Sequence, residues 1–193
     1  MRYVIVPGID GSDQDHWQSI WQAAWGESAV RIRPASWDRP DLDDWCQAID
    51  RAAGPDPSEA VLVAHSLGCL AAADWAARSR RDIRGVFLVA PPDAAGPNFP
   101  AAAAPTFTAA HATPLDVPGL VISSDDDPYC TTDAAERLAS GWHLDRVSVG
   151  RAGHINSASR LAHWDLGRAL LTAFTAGTRA RANLHEVVLR IPH

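Results

Sequence analysis

Val61-Leu62-Val63-Ala64-His65-Ser66-Leu67-Gly68-Cys69-Leu70-Ala71-Ala72-Ala73 is the stretch that decides the fold. An apolar run with strand character ends in His-Ser-x-Gly, and an alanine-rich helical run follows at once. This is the pattern of a nucleophile elbow, in which a serine sits on a tight strand-to-helix turn with its hydroxyl raised above a sheet. Such a turn needs small residues two before and two after the serine; here they are Ala64 and Gly68. The pattern implies acyl transfer to Ser66 and places its partners on later loops of the same sheet edge.

Outward from this stretch, apolar runs alternate with helical periodicity. Strands are expected at Tyr3-Val6, Ala29-Ile32, Ala60-Ala64, Val86-Ala90, Gly119-Ser123 and Arg146-Val149. Several are continuously apolar, as parallel strands covered on both faces are. Helices are expected around 16–25, 41–53, 67–79, 131–141 and 157–175. The alternation argues an α/β class protein, a doubly wound and mostly parallel sheet between two helical layers. Trp17, Trp21 and Trp25 share one helix face. They read as packing on the sheet, with a place for Trp17 near the site entrance as the alternative.

One domain is expected over residues 1–176. Within it, segment 91–118 carries Pro91, Pro92, Pro97, Pro100, Pro105, Pro114 and Pro118 with Ala101-Ala104, and reads as a functional or mobile loop, a minimal lid. The extension 177–193 reads as an edge strand, an interface arm or a disordered tail.

Composition narrows the chemistry. All 17 basic residues are arginine, which excludes a P-loop lysine, a Schiff-base lysine and a Ser-Lys dyad. A formal net charge of -6 argues against a nucleic-acid surface. Arg78, Arg80, Arg81 and Arg84 form the one basic cluster, read as a solvated helix end. The three cysteines, Cys46, Cys69 and Cys130, have no C-x-x-C spacing, so neither a disulfide framework nor a zinc site is expected. No His/Asp/Glu set has metal-ligand spacing, and no cofactor is expected. The first residues enter a strand directly and no run is long enough to span a membrane, so a cytoplasmic protein is expected. A homo-oligomer is possible, with Trp142, Trp164 and the tail as candidate interface material.

A serine needs a base, and the base needs an orienting acid. In elbow hydrolases these follow in the order Ser, Asp or Glu, His, each on a loop after a later strand. Asp125-Asp126-Asp127-Pro128 follows the strand ending at Ser123, and Gly153-His154-Ile155-Asn156 follows the one near Val149. Catalytic roles are therefore expected for Ser66 as nucleophile, His154 as base and Asp127 as acid. Asp127 is favoured because the proline after it restricts its backbone; Asp126 remains the alternative. The oxyanion donors are expected to be the N–H of Leu67 and, from the first loop, the N–H of Ile9, with Asp10 next. Gly8 and Gly11 let that loop approach a substrate; Gly8, Asp10, His16 and Trp17 are candidates for substrate contact. His65 reads as buried, and His16 as a helix-start residue with a place in the site as the alternative. Gly8-x-x-Gly11 lacks the dinucleotide fingerprint, which leaves a nucleotide loop weakly supported.

The chain resembles the small α/β-hydrolase-fold serine hydrolases related to retinoblastoma-binding protein 9. The resemblance is carried by Val6-Pro7-Gly8 with Ser12 and His16-Trp17, by Val63-Ala64-His65-Ser66-Leu67-Gly68-Cys69, by Ala90-Pro91-Pro92, by Ser124 with Asp126-Asp127-Pro128-Tyr129, and by Gly153-His154-Ile155-Asn156. It implies a compact α/β-hydrolase fold, a three-layer α/β/α sandwich of about six parallel strands in the order 2-1-3-4-5-6. It implies Ser66, Asp127 and His154 as the triad. The function expected is hydrolysis of a small carboxylic ester, amide or thioester. The alternatives are a ligand- or protein-binding module on a hydrolase scaffold and, more remotely, a flavodoxin-like nucleotide binder. The Leu-x-Cys-x-Glu sequence for a pocket-protein partner is absent, so that partner is not carried over; the expected partner is a small acyl substrate.

Overall fold

The computed structural model describes residues 1–79 and 81–189, with side chains described through Thr178. Six strands, β1 (Arg2–Val6), β2 (Ala29–Arg31), β3 (Ala60–His65), β4 (Gly85–Val89), β5 (Gly119–Ser123) and β6 (Asp145–Ser148), form one parallel sheet in the order β2-β1-β3-β4-β5-β6. The helices are α1 (Trp17–Trp25), α2 (Leu42–Ala53), α3 (Leu67–Ser79), α4 (Thr132–Trp142) and α5 (Asp165–Leu189). This is the expected strand set and order.

Alternation along the strands separates two cores. Val4, Val6, Leu62, Ala64, Val86 and Leu88 pack on one face with Trp45 and Ile49 of α2, Leu70 and Trp75 of α3, and Ala139 and Trp142 of α4. Ile5, Val61, Val63, Phe87 and Val89 point the other way, onto Trp17 and Trp21 of α1 and Leu171 of α5. Because side chains alternate with period 2, a strand covered on both faces must be apolar at every position. That is why β3 is fully buried along its length.

The register places the site. Val6 pairs with Ala64, which brings the loop after β1 level with Ser66 at the end of β3. The chain leaves β1 and β3 toward opposite sides of the sheet, and open α/β sheets bind ligands at such a switch point, outside the carboxyl ends of their strands.

Three expectations change. The last helix begins at Asp165, not near 157: Asn156 caps a single 3₁₀ turn, Ser157–Ser159, and Arg160, Ala162 and Trp164 then take positive φ, which breaks the helical path. The extension past 176 continues α5 to Leu189 instead of adding a strand; residues 190–193 and the side chains of 179–189 lie outside the described residues. Trp142 and Trp164 are buried inside the chain, at 2% and 5% exposure, and are not interface material. Segment 91–118 is an irregular loop with one 3₁₀ turn, Pro105–Ala109, anchored by the buried Phe99, Ala104, Phe107 and Leu115, with Phe107 edge-on to Trp45 at 5.6 Å.

Of the basic cluster, Arg78 pairs with Asp43 and Asp74, Arg81 with Asp50 and Arg84 with Glu59, while Arg80 lies outside the described residues. No helix among the described residues is long and apolar enough to cross a membrane.

Candidate active site

Ser66 sits between β3 and α3 with φ 54°, a left-handed conformation that is costly for a residue with a side chain. Two close approaches hold it there. Its N–H donates to the Val89 carbonyl at 2.9 Å, linking the turn to β4. Gly68 lies so near β1 that an added Cβ would fall 2.3 Å from the Pro7 carbonyl oxygen and 2.4 Å from that of Val6. No side chain fits there, and this is the physical content of the glycine two residues after the serine.

His154 Nε2 is 2.7 Å from Ser66 Oγ, and its Nδ1 is 2.9 Å from both carboxylate oxygens of Asp127. A carboxylate only accepts, so Nδ1 carries the proton and Nε2 accepts from the serine hydroxyl. The Asp127 side chain is 2% exposed, and Oδ1 also accepts the Tyr129 N–H at 2.9 Å.

The three consecutive aspartates do different work. Asp126 accepts the Ser124 hydroxyl at 2.9 Å and the Gly153 N–H at 2.8 Å, bracing the residue before His154. These bonds hold its carboxyl below the usual carboxylate range, that from Gly153 most. Asp125 accepts the Ser148 hydroxyl at 2.6 Å and ties the loop to β6.

The histidine loop is fixed from beneath. His65 Nε2 donates to the His154 carbonyl at 2.9 Å, and the Trp17 indole N–H donates to the Ile155 carbonyl at 2.8 Å. Ile155 has φ 50° and is fully buried. Burial, reinforced by His154 and His16, pushes the His65 pKa well below its ordinary value, so the ring is neutral. His16 caps α1 through Nδ1, which accepts the Gln18 N–H at 3.1 Å. Burial lowers its pKa to about 4, against the opposing pull of Asp13.

These groups open into a cavity of about 390 Å³, lined among others by Gly8, Ile9, Asp10, His16, Ser66, Leu67 and His154. Asp10 and Asp13 are the carboxylates of the lining, and no arginine among the described residues contributes to it. Gly8 abuts the serine: an added Cβ would stand 2.8 Å from Ser66 Cβ. The N–H groups of Ile9 and Leu67 have no acceptor among the described residues, whereas the Asp10 N–H is spent on the Trp37 carbonyl at 2.9 Å. Gly8, Asp10 and His16 thus reach the cavity. Trp17 does not: it is 1% exposed and lies under the His154 loop.

Sequence reasoning gave no role to Tyr129, Asn156 or Ser157. Tyr129 packs its ring 4.5 Å from that of His154 and lines the cavity; Asn156 and Ser157 also line it, Ser157 donating to Asp13 at 2.8 Å. Adjacency to the Asp127 and His154 motifs was the available signal.

The three cysteines are buried and unpaired. Cys69 donates to the Val89 carbonyl at 3.2 Å, and burial raises its pKa and those of Cys46 and Cys130, the last two to about 12.

The six-strand order, the serine on its elbow and the helices on both faces define an α/β hydrolase. The model of the serine hydrolase family matches residues 3–173, and the chain belongs to that family. Among solved structures, it is similar to a YdeN-like hydrolase from Pectobacterium atrosepticum, with 34% identity over 92% of this chain and 91% of that one, at a TM-score of 0.80. The ydeN gene product of Bacillus subtilis is similar at 22% identity over 91% of this chain and 100% of that one, with a TM-score of 0.75. A hydrolase from Agrobacterium vitis shares the fold at 16% identity, 90% and 87% coverage, and a TM-score of 0.71. No curated protein matches.

Proposed function

We propose that the protein is a cofactor-independent hydrolase of small carboxylic esters, with amides or thioesters as related substrates, working in the cytoplasm through Ser66, His154 and Asp127. The observation that carries this reading is the unbroken run of hydrogen bonds from Ser66 Oγ through His154 to Asp127, opening into one cavity. The motifs around these residues support placing it beside the proteins related to retinoblastoma-binding protein 9.

His154 Nε2 takes the hydroxyl proton as Ser66 Oγ bonds to the substrate carbonyl carbon. Asp127 fixes the ring's tautomer and stabilises the imidazolium that forms. The carbonyl π electrons move to oxygen, and this oxyanion accepts from the free N–H groups of Leu67 and Ile9. The Asp10 N–H is set aside as the second donor because it is already bonded. His154 then returns the proton to the leaving oxygen as its bond to carbon breaks. In the second half-reaction water attacks the acyl-enzyme with His154 again as base, releasing the acid and restoring Ser66.

The test is labelling with a fluorophosphonate, read by peptide mass, beside ester turnover in Ser66→Ala and His154→Ala. A single adduct on Ser66, absent in both variants, and a loss in kcat of roughly 10⁴ are expected. Near-native turnover in either variant refutes the triad. A folded protein that neither labels nor turns over esters would instead be a binding module.

A further inference from the structure

Tyr129 is one of three large apolar side chains that stand exposed among the described residues, at 38%, with Met1 and Leu166. Of these, only Tyr129 lies on the cavity that holds Ser66 and His154. Its ring centroid is 4.5 Å from that of the His154 imidazole, the two planes inclined at 58°. The link to Asp127 does not need this side chain: the Tyr129 N–H donates to Asp127 Oδ1 at 2.9 Å, a main-chain bond open to any residue except proline. Its phenol O–H meets no partner among the described residues. What the residue type adds at this position is an accessible aromatic face beside the base.

The backbone beneath that face is held on both sides. The Tyr129 carbonyl accepts the Asp93 N–H at 3.0 Å, and the Asn98 amide donates to the Pro128 carbonyl at 2.7 Å. These bonds tie the Asp127 loop to the segment that carries Pro92 and Pro100, the two prolines of the cavity lining. Tyr129 and the two prolines contribute no charge, and the prolines no N–H. Apolar and aromatic walls of this kind are what ligand cavities use to hold the carbon framework of a substrate, while a few polar groups fix its orientation.

The chemistry says which part of the substrate lies there. The oxyanion is drawn to the N–H groups of Leu67 and Ile9. His154 Nε2, 2.7 Å from Ser66 Oγ, must in turn reach the leaving oxygen to protonate it. The group attached to that oxygen therefore lies along the imidazole, the ring on which Tyr129 packs.

We infer that Tyr129 is a specificity-determining residue whose ring contacts the leaving group, so that esters whose alcohol carries an aromatic ring are preferred over saturated ones of the same size. The inference rests on the serine hydrolase reading. An aromatic pair gains over contact of equal apolar area by a factor of about five.

The experiment compares kcat/KM for two matched pairs in the native protein, Tyr129→Leu and Tyr129→Phe, both of which keep the main-chain bond to Asp127. One pair varies the leaving side, benzyl acetate against cyclohexylmethyl acetate. The other varies the acyl side, methyl phenylacetate against methyl cyclohexylacetate. Comparing ratios between proteins cancels the intrinsic reactivity of each ester. The aromatic-to-saturated ratio of the leaving pair is expected to fall about fivefold in Tyr129→Leu and to be retained in Tyr129→Phe. An unchanged leaving-pair ratio in Tyr129→Leu overturns the inference. So does a fall as large or larger in the acyl pair, which would put the ring beside the acyl group, and so does an equal fall in Tyr129→Phe, which would assign the effect to the hydroxyl. An equal loss on all four esters also overturns it, because Tyr129 would then act by supporting His154. Should Tyr129→Leu not fold, the native protein decides: its leaving-pair ratio, divided by the same ratio for hydroxide-catalysed hydrolysis, should be about five, and a value of about one overturns the inference. No Ser66 adduct and no ester turnover in the native protein overturns the hydrolase reading itself, a result distinct from turnover with an unchanged ratio.

Discussion

Replacing Gly8 by alanine tests how closely the first loop presses on the serine. The new Cβ would lie 2.8 Å from Ser66 Cβ and 3.2 Å from Oγ. Carbon atoms in contact sit about 3.5–4.0 Å apart, so the loop and the serine must separate by roughly 0.7 Å or more. The backbone of Gly8 is not in the left-handed region, so alanine adds no conformational penalty there. Overpacking should cost about 1–3 kcal/mol, a loss that a domain of this size survives. Catalysis should suffer more. A misplacement approaching 1 Å costs on the order of 10²-fold, and both the nucleophile and the Ile9 N–H lie on the surfaces being forced apart. The assay is kcat on p-nitrophenyl acetate, with the rate of fluorophosphonate labelling and thermal unfolding measured alongside. The expected result is a folded protein with kcat down about a hundredfold. Gly68→Ala is the comparison: its Cβ would meet the backbone carbonyl oxygens of Val6, the last residue of β1, and Pro7, just after it, and that variant should lose the fold. Gly8→Ala with kcat within about threefold of native and an unchanged melting temperature would refute the argument that this contact sets the nucleophile's position.

Asp127→Asn should lower kcat by roughly 10³–10⁴, because the ring loses the acceptor that fixes its tautomer. Asp126→Ala should cost about 1–2 kcal/mol of stability and roughly tenfold in kcat, since it strands the Gly153 N–H and the Ser124 hydroxyl; the reverse ranking in activity would exchange the two assignments. Acid unfolding should reveal His16. The unfolded ring binds a proton near 6.5 and the folded one only near about 4, so the unfolded chain holds more protons between those values. The contribution to stability is therefore whole above pH 6.5 and is lost as the pH falls toward 4, about 3 kcal/mol in all. His65 acts with the same sign. Urea unfolding at pH 7 and pH 4 should show the native protein losing about 3 kcal/mol more than His16→Asn, and parallel losses would count against burial of a neutral ring.

What the chain's order reveals is local pattern. The β3-to-α3 junction was readable because the apolar run, the small residues and the helix occupy consecutive positions. The three loops were readable from motifs that each sit on one short segment, and the strand order from the family resemblance those motifs carry. What stayed hidden depends on approach through space. The proline after Asp127 favours it over Asp126 in the sequence, but the bracing role of Asp126 depends on the placement of Gly153, which only the fold shows. The indole of Trp17 is 138 residues away from Ile155 in sequence, so no periodicity could connect them. The start of α5 was misjudged because 157–164 has helical composition, while the asparagine cap and three positive-φ residues turn it into a loop. The prolines of segment 91–118 mark a functional or mobile loop in the sequence, but not that its two phenylalanines, Phe99 and Phe107, are buried.

These hidden contacts share a purpose. Ser66, Ala90 and Ile155 all hold non-glycine backbone at positive φ, at a cost of about 1–3 kcal/mol each. They lie at the ends of β3 and β4 and on the histidine loop, the sheet edge that bears the site. Strain of this kind persists only where neighbours leave no alternative, and each residue is held by its main chain: Ser66 through the Val89 carbonyl, Ala90 through that of Ile122, Ile155 through the Trp17 indole and the Ala152 carbonyl. The same network passes beneath His154 through His65 and beside it through Asp126. The loop that carries the imidazole is thus held at Gly153, His154 and Ile155. The two ring nitrogens are set by the scaffold, one toward Asp127 and one toward Ser66, which is the preorganisation that the proposed proton transfer relies on.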